Sequence, residues 1–427
     1  MPVRLICVHH RLAGRTGHRY HEALGLLAEA RRRGMEPLLF MNEDAEAAVR
    51  MALPDGRSVL RDPVFRPDLS FDQRTAAFVA LLHRHVDPEV RRDDRLLLTV
   101  ATQCEARALA GWVTELPESK RPWTVVLFPS DRWNRSGAAE RNRQVREFQV
   151  VASELAGLGP AARRLIFCAH TAGLRGELTS LLGTEVLLAP MAQFAEGMRP
   201  VRAPTASGPP QVAVLGGARP EKGFHLLPAI VRASRARTEV EFLLQVANEQ
   251  LPDEAFAELS RLAEEPGVRI ASGPLDRPAY LSLLDAADLV LLPYQRIPYR
   301  QRPSGIFAEA VLAGLPVVVP GGTWMAEQVE AGVAAGMVFA ELDPEAIAAA
   351  LAACVADLPQ LATQARERAP AWARTQTITS FLDWVEDEIT LRGRAAGAPA
   401  HLGGGMPAWL SSATRRLKAS IRAWARG

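Results

Sequence analysis

With 427 residues, the chain is too long for one ordinary hydrophobic core and suits two domains of about 200 residues each. Hydrophobic residues make up 48% of the chain and charged residues 23%, which is typical of a globular protein in water. The formal net charge of +2 argues against nucleic acid as a partner. Four cysteines without CxxC spacing favour reduced core thiols over a zinc site or a disulfide framework, so we expect a cytoplasmic protein.

Neither a signal peptide nor a membrane-spanning helix is predicted. The first apolar run, residues 3–8, is shorter than the core of a signal peptide and is followed by His and Arg. No stretch approaches the roughly 20 apolar residues that a spanning helix requires.

Residues 1–194 predict an α/β domain of the Rossmann type. A strand at 3–8, a helix from His18 to Arg33 and a strand at 36–41 form its opening β–loop–α–β unit. The loop between them holds Gly14 and Gly17 but no GxGxxG, so a dinucleotide fingerprint is absent. Later apolar runs predict four more buried strands, at 95–100, 124–128, 165–170 and 186–190. The arginine-rich helix at 137–158 is expected to present a solvated face.

Asp131 is the candidate polar residue at the end of a strand in this domain. It follows the strand at 124–128, and the C-terminal ends of parallel strands are where open α/β sheets bind ligands. A carboxylate there would face the cleft between two domains. The alternative, equally supported, is that Asp131 caps the N-terminus of the helix at 137–158.

The middle of the chain predicts a linker and then a second Rossmann-like domain. Residues 195–210 carry four prolines and no hydrophobic period, which indicates an inter-domain linker. Residues 211–375 alternate apolar runs with helical patterns, and the runs predict buried parallel strands at 211–215, 240–246, 268–270, 289–292 and 316–319.

The stretch from Tyr294 to Pro320 carries the chemistry of the second domain. Its turn at Ser304-Gly305 opens a short helix, and free backbone N–H groups at a helix start favour a phosphate. Three arginines precede the turn, and Glu309, one turn into the helix, is suited to accept hydrogen bonds from a ribose diol. The pattern predicts a site for a nucleoside diphosphate; a Rossmann-like domain without a nucleotide is the alternative. The three arginines are Arg296, Arg300 and Arg302.

This stretch resembles the donor-binding segment of GT-B glycosyltransferases, in particular the retaining, family 4-like group (glycosyl transferases group 1). Glu309-Ala310, Gly314 and Pro316-Val317-Val318 match the second half of that family's pattern. The family's earlier Glu falls on Gln301 or is absent. Because that Glu touches the donor sugar in the family, retention is the expectation while the sugar and the stereochemistry stay open.

A second segment, Gly216 to Phe224, resembles the family's phosphate-binding turn. In the family this turn supplies two cations to the donor diphosphate, and here Arg219 and Lys222 fill those places. Fixed cations act there because charge builds on the leaving nucleoside diphosphate in the transition state. An ordinary helix start with exposed basic residues is the alternative.

The resemblance implies two Rossmann-like α/β domains facing across a cleft, a GT-B fold, and a set of site residues. The expected catalytic residues are Asp131, Arg219, Lys222 and Glu309. The expected donor-binding residues are Gly217, Arg219, Lys222, Gly273, Leu275, Tyr294, Ser304, Gly305, Ile306 and Glu309. The expected acceptor-side residues are Gly14, Thr16, Gly17 and His18. No metal and no cofactor are expected, and a nucleotide-diphosphate sugar is the donor substrate.

The end of the chain predicts three further pieces. Residues 376–391 form a helix that would cross back to the first domain, and residues 392–405 form a flexible Gly/Ala/Pro linker. Residues 406–427 form a basic amphipathic helix suited to an anionic membrane surface, which would make the protein peripheral on the inner face of the membrane. Packing on the protein or on a second subunit is the alternative. The apolar face comprises Trp409, Leu410, Ala413, Leu417, Ile421 and Trp424.

Two functions remain open at this point. The first is sugar transfer from a nucleotide sugar to a glycan, a lipid-linked or a protein acceptor, in cell-envelope or polysaccharide synthesis. The second is a GT-B-shaped subunit that binds nucleotide sugars or glycans without transferring them, which the missing first Glu favours. An epimerase or a phosphorylase has no supporting feature in the sequence.

Overall fold

Two parallel β-sheets, each covered by helices, organise the part of the chain that is described by the computed structural model, residues 2–15, 18–131, 137–198, 208–248 and 250–397. The first sheet lies in the N-terminal half and the second in the C-terminal half. The fold class predicted from the sequence is therefore confirmed.

The first sheet has seven strands in the order β3-β2-β1-β4-β5-β6-β7, and every neighbouring pair is parallel. The strands are β1 Arg4–His9, β2 Glu36–Asn42, β3 Gly56–Leu60, β4 Arg95–Leu98, β5 Trp123–Phe128, β6 Leu165–Ala169 and β7 Val186–Leu188. Its helices are α1 His18–Arg32, α2 Ala47–Ala52, α3 Phe71–Leu81, α4 Gln103–Glu115, α5 Ala138–Ala156 and α6 Ala172–Leu182, and a π-helical turn, Leu82–Val86, continues α3.

Helix α5 presents the exposed face that its arginines predict, and it also has a buried face. Phe148, Val151 and Leu155 are buried on one of its faces. The carboxylate of Glu147 on the same face accepts hydrogen bonds from Arg74 (2.9 Å) and Gln103 (2.6 Å), so the buried charge is paired. Part of the charge on α5 therefore binds the helix to the domain and does not face water.

The second sheet repeats the strand order of the first. It runs β11-β10-β8-β12-β13-β14, with β9 paired to β10, and all pairs are parallel. The strands are β8 Gln211–Val214, β9 Gly217–Ala218, β10 Glu241–Asn248, β11 Val268–Ser272, β12 Leu289–Leu291, β13 Val317–Pro320 and β14 Gly336–Phe339. The helices are α7 Leu227–Arg237, α8 Asp253–Arg261, α9 Arg277–Asp285, α10 Arg296–Tyr299, α11 Gly305–Leu312, α12 Trp324–Glu330, α13 Pro344–Ala356, α14 Leu358–Thr375 and α15 Ile378–Gly397.

Both sheets reverse their strand order at one point, which fixes where a ligand can bind. The reversal falls between β1 and β4 in the first sheet and between β8 and β12 in the second. Loops that leave neighbouring parallel strands in opposite directions open a crevice at the C-terminal edge of the sheet. The loops after β8 and β12 begin at Leu215 and Leu292, directly ahead of the two segments that the sequence singled out.

Helix α15 begins against the first domain and is longer than predicted. Arg33 Nη2 donates a hydrogen bond to the Thr379 carbonyl at 2.8 Å, and a Cβ on Gly25 of α1 would overlap the Ile378 side chain. The helix runs to Gly397, six residues into the predicted linker at 392–405, because Ala and Arg favour helix strongly enough to carry it past Gly393. The predicted amphipathic helix at 406–427 lies outside the described residues.

The cysteines and the helices bear on two predictions, those of reduced core thiols and of a chain without a membrane-spanning helix. All four cysteines are buried and free, as predicted for core thiols. Within the described ranges, no single helix is both long and apolar enough to cross a membrane. Helices α13 and α14 satisfy that test only when taken together, and they are bent by 81° at their junction.

Candidate active site

Gly216, at the end of β8, is the point where the two predicted phosphate-binding segments meet. Its φ of +106° is in the region that favours glycine. A Cβ at this position would lie 2.5 Å from Ile306 Cδ1 and 2.8 Å from Lys222 Nζ. The ammonium group of Lys222 and the first turn of α11 therefore both contact the Gly216 backbone, and any larger residue would displace them.

The turn that carries Lys222 is held against the loop after β12. Residues 220–222 form one 3₁₀ turn, which ends at Gly223 with φ +72°. The backbone N–H of Gln295 donates to the Glu221 carbonyl at 2.9 Å, and its side-chain Nε2 donates to the Pro220 carbonyl at 3.2 Å. These bonds fix the position of the cation turn relative to the strand edge.

The start of α11 is built as an N-terminal cap. Ser304 Oγ accepts a hydrogen bond from the Phe307 N–H at 3.3 Å, and Ser304 is 5% exposed. Its hydroxyl therefore stabilises the helix, while the first N–H groups of the helix, at Gly305 and Ile306, have no intrahelical acceptor. The positive end of the helix dipole thus lies beside Lys222, as the sequence predicted for an anion site.

Tyr294, for which donor binding stays a prediction, is buried beside Lys222. It is 1% exposed, and its ring lies 5.9 Å from Lys222 Nζ and 4.4 Å from the ring of Tyr299. Burial raises its pKa well above 10, although the charges of Arg302 and Arg219 act in the opposite direction. The Tyr294 ring therefore packs beneath the ammonium group of Lys222.

A positive field reaches the crevice from both domains. Arg219 lies 3.9 Å from Glu221, at the edge of ion-pair distance. Burial, together with the charges of Arg11 and Arg219, lowers the pKa of Arg19, on α1 of the first domain, to about 10. Arginines of the two domains therefore lie near each other, which favours an anion between them.

The three arginines ahead of α11 do not converge as predicted. Arg296 packs its guanidinium against the backbone of Gly322, in the loop after β13. Arg302 stacks over Tyr299 at 5.2 Å, and Arg300 is exposed. Arg296 begins α10, Arg300 is its C-cap residue and Arg302 follows it. The charge of Arg302 acts to lower the pKa of Tyr294.

Glu309 lies one turn into α11, as predicted, but it is not an open carboxylate. Arg277 Nη1 donates to its Oε1 at 2.8 Å, and the Tyr280 hydroxyl donates to its Oε2. A ribose diol would have to bind the remaining lone pairs of the same oxygens. Sequence reasoning missed Arg277 and Tyr280, which lie on α9, because nothing in their local pattern marks a long-range carboxylate partner.

Gln301, at the place of the family's first Glu, lies against the first domain. The Thr171 hydroxyl, which also caps α6, donates to the Gln301 carbonyl at 2.9 Å. A Cβ on Gly173 would lie 3.3 Å from Gln301 Cγ, so the absence of a side chain there makes room for it. Gln301 therefore contacts the first domain, whereas the family's Glu at this place contacts the donor sugar.

The remaining donor-side residues lie at the same sheet edge. Gly217 forms β9 with Ala218, and Gly273 follows β11 with φ +80° and donates its N–H to the Val246 carbonyl at 2.8 Å. Leu275 is half-buried beyond it. Their contact with the donor stays a prediction.

On the first domain, Asp131 is fully buried after β5. Helix α5 begins at Ala138 with Gly137 as its N-cap residue, so the alternative that Asp131 caps this helix is wrong. A catalytic contact by Asp131 stays a prediction. Gly14 is half-buried and His18 begins α1, whereas Thr16 and Gly17 lie outside the described residues.

Glu22 of α1 belongs to a cluster of buried polar side chains that the sequence did not reveal. Burial raises the pKa of Glu22 to about 7, although a hydrogen bond from Thr99 and the charge of Arg19 act in the opposite direction. Thr99 Oγ1 also lies 3.4 Å from His9 Nε2, and burial lowers the pKa of His9 to about 3. Among the described residues, no group of three or more His, Cys, Asp and Glu side chains could hold a metal ion.

Replacing Glu22 with Gln is expected to change how stability depends on pH. Because the folded-state pKa is raised from its ordinary 4.5 to about 7, the folded protein binds this proton more tightly than the unfolded chain, and stability falls as pH rises from 4.5 to 7. Gln does not ionise, so Glu22→Gln should gain up to about 3 kcal/mol over the wild type at pH 8. Urea unfolding at pH 4 and pH 8 measures this difference; an equal difference at both pH values contradicts it.

Solved structures share this architecture over nearly the whole chain. Sucrose-phosphate synthase from Thermosynechococcus elongatus is 16% identical with a TM-score of 0.60, covering 93% of this chain and 100% of that one. A Rickettsia africae glycosyltransferase is 10% identical with a TM-score of 0.63, covering 93% and 99%. Anabaena HepE in complex with UDP is 16% identical with a TM-score of 0.59, covering 91% and 100%. These likenesses show the GT-B fold.

The fold of the chain is therefore that of GT-B glycosyltransferases. The family described as Glycosyl transferases group 1 matches residues 209–357, which cover most of the second domain. The enzyme class implied by the sequence motifs is therefore confirmed. A comparison with curated protein sequences finds no match.

Proposed function

We propose that the protein transfers a sugar from a nucleoside-diphosphate sugar to a glycan, lipid-linked or protein acceptor. The observation that carries this is the meeting of Lys222 Nζ and the start of α11 at Gly216. A diphosphate in this crevice would face two basic side chains on one side and helix N–H groups on the other. Solved relatives support the donor class, since one was crystallised with UDP-glucose and another with UDP-2-fluoro glucose.

The charges at this crevice act on the leaving group. As the sugar–oxygen bond breaks, negative charge grows on the diphosphate, and Lys222, Arg219 and the helix dipole stabilise it. We propose that these fixed charges do the work of a divalent cation, so that transfer is metal-independent. Full activity in the presence of excess EDTA supports this part of the proposal, and a strict requirement for added Mg²⁺ or Mn²⁺ rejects it.

A cytoplasmic role in cell-envelope or polysaccharide synthesis, with peripheral attachment through residues 406–427, is part of the same proposal. The sequence of this segment combines apolar Trp and Leu positions with five basic residues and no acid. Co-sedimentation with vesicles containing anionic lipid tests it, with a variant truncated after residue 405 as the control. Equal binding by both proteins rejects membrane attachment through this segment.

The second candidate is a subunit that binds nucleotide sugars without transferring them. Gln301 favours it, because this residue replaces the family's first Glu and contacts Thr171 and Gly173 of the first domain. Arg219, Lys222 and Glu309 favour transfer. Release of nucleoside diphosphate from a bound nucleotide sugar, in the presence of lysate glycans, separates the two candidates.

The donor class is tested by thermal melting against nucleoside diphosphates and their sugars. UDP, GDP and ADP, with their glucose and mannose conjugates, should include at least one ligand that raises Tm in proportion to its concentration. The gain should disappear in Lys222→Ala. If no nucleotide in the set raises Tm at millimolar concentration, the proposed donor class is wrong.

A further inference from the structure

Arg277, the first residue of α9, connects the donor side of the second domain with the segment that leads out of the first. Its Nη1 donates to Glu309 Oε1 at 2.8 Å. Its Nη2 lies 3.3 Å from the carbonyl oxygen of Phe194 and 3.3 Å from that of Glu196. Its Nε is buried and has no hydrogen-bond partner within the described residues. One rigid guanidinium thus holds a site carboxylate and an inter-domain segment at once.

Phe194 extends this connection to the first domain. Its ring centroid lies 5.4 Å from Arg277 Cζ and 5.7 Å from the ring centroid of His21, on α1. A Cβ on Gly25, also on α1, would lie 2.7 Å from Phe194 Cδ2, so this glycine makes room for the ring. Contacts therefore run without a break from α1 through Phe194 and Arg277 to Glu309.

Tyr280 fixes the position of the second carboxylate oxygen of Glu309. Its hydroxyl donates to Glu309 Oε2, and its ring centroid lies 5.9 Å from Arg277 Cζ. Burial, together with the charge of Glu309, raises the pKa of Tyr280 well above 10, so the phenol keeps the proton that it donates. The Arg277 and Glu309 side chains are 19% and 13% exposed, so water screens their attraction only weakly.

We propose that Arg277 is a positioning residue that couples donor binding at Glu309 to the placement of residues 194–196 between the domains. A donor that binds the remaining lone pairs of Glu309 fixes the carboxylate, the carboxylate fixes the guanidinium, and the guanidinium fixes the two carbonyls. Coupling of this kind is reciprocal, so a displaced segment weakens donor binding by the same factor. The inference rests on the proposed function, in which Glu309 lies at the donor site.

A double-mutant cycle tests the coupling. Calorimetric titration with the nucleoside diphosphate that gives the largest melting shift should show about tenfold weaker binding to Arg277→Met, and a smaller loss in Arg277→Lys, which keeps the charge but not the fork. Phe194→Leu should also weaken binding, and the double variant should bind no worse than Arg277→Met alone. Donor KM should rise by the same factor as Kd, with little change in kcat.

Arg269→Met is the matched control, because Arg269 is a surface arginine of the same domain that donates to Gln211 at 2.7 Å. It should bind the nucleotide as the wild type does. Additive effects of Phe194→Leu and Arg277→Met, or unchanged binding by Arg277→Met, overturn the coupling. If Arg219→Ala and Lys222→Ala also bind normally, the proposed function itself fails; if those two lose binding while Arg277→Met keeps it, only the present inference fails.

Discussion

Lys222→Ala and Arg219→Ala are each expected to lower glycosyl transfer by about 10²-fold or more while leaving the fold intact. Lys222 Nζ contacts the Gly216 backbone beside the start of α11, where the diphosphate is proposed to bind. Removing it leaves the helix dipole and Arg219 as the positive groups next to the leaving phosphate. Because charge grows on that phosphate in the transition state, kcat should fall in addition to the loss of nucleotide binding.

Steady-state kinetics of nucleoside diphosphate release, measured for both single variants and the double variant, check this expectation. Arg219 is 32% exposed at its side chain and Lys222 is half-buried on a 3₁₀ turn, so neither truncation opens a cavity in the core. Melting temperatures should therefore stay near that of the wild type. Near-normal turnover in both single variants would remove the phosphate role from this turn.

The Lys222→Arg variant separates the effect of the positive charge on residue 222 from the effect of its side-chain size. The guanidinium keeps the positive charge, but it is larger than an ammonium group. The space beside Gly216 is closed by Ile306 Cδ1, which would lie 2.5 Å from any Cβ at that glycine. We expect Lys222→Arg to retain more activity than Lys222→Ala and less than the wild type. Equal activity of the Arg and Ala variants would mean that the charge itself does no work.

Buried strands were predictable where each one coincides with an unbroken run of apolar residues. Strands β8, β12 and β13, at the centre of the second sheet, coincide closely with predicted runs. Strands β3 and β14 were missed, and both lie at the edge of their sheets. An edge strand has only one neighbour and buries less surface, so a short mixed sequence such as GRSVL or GMVF suffices.

The two phosphate-binding segments were predictable for a related reason, since each is local. A glycine turn, its basic side chains and a helix start occupy a few consecutive residues, so their spacing alone specifies much of the geometry. Trp324 shows the limit of local information. A bulky residue after a glycine turn is compatible with either a narrowed ligand pocket or core filling. In the structure Trp324 is buried in the core, with its ring centroid 5.4 Å from that of Phe307 and 6.2 Å from that of Trp372.

Long-range pairing is what the sequence could not show. Thr171 and Gln301 are 130 residues apart, and Phe194 and Arg277 are 83 apart, yet each pair forms a hydrogen bond. Neither member of a pair has a local sequence pattern that identifies its partner. A polar residue at the start of a helix has the same sequence pattern whether its side chain faces water or a distant residue. These pairings determine whether Gln301 can contact a donor sugar and how accessible the Glu309 carboxylate is to a ligand.

Gly223→Ala is expected to be the most damaging single-methyl change at the site. Gly223 has φ +72°, where a side chain costs about 1 kcal/mol for the backbone alone. Its Cβ would also overlap the Pro293 carbonyl oxygen and lie 3.0 Å from the carbonyl carbon, and neither atom belongs to a flexible side chain. The loop after β12 or the Lys222 turn must move, so we expect a total loss of about 3 kcal/mol or more in the free energy of unfolding.

Gly34→Ala separates the two contributions to that loss. Gly34 has a nearly identical φ of +71°, but no heavy atom lies within 4 Å of a Cβ there, so this variant carries the backbone term without the overlap. Urea unfolding should give a loss of about 1 kcal/mol for Gly34→Ala against at least twice that for Gly223→Ala. Nucleoside diphosphate binding should fall only in Gly223→Ala, because only that change displaces Lys222 from the start of α11. Equal losses of stability in the two variants would show that the loop after β12 and the Lys222 turn move apart at little cost. The fixed spacing between the Lys222 turn and the start of α11 would then be wrong.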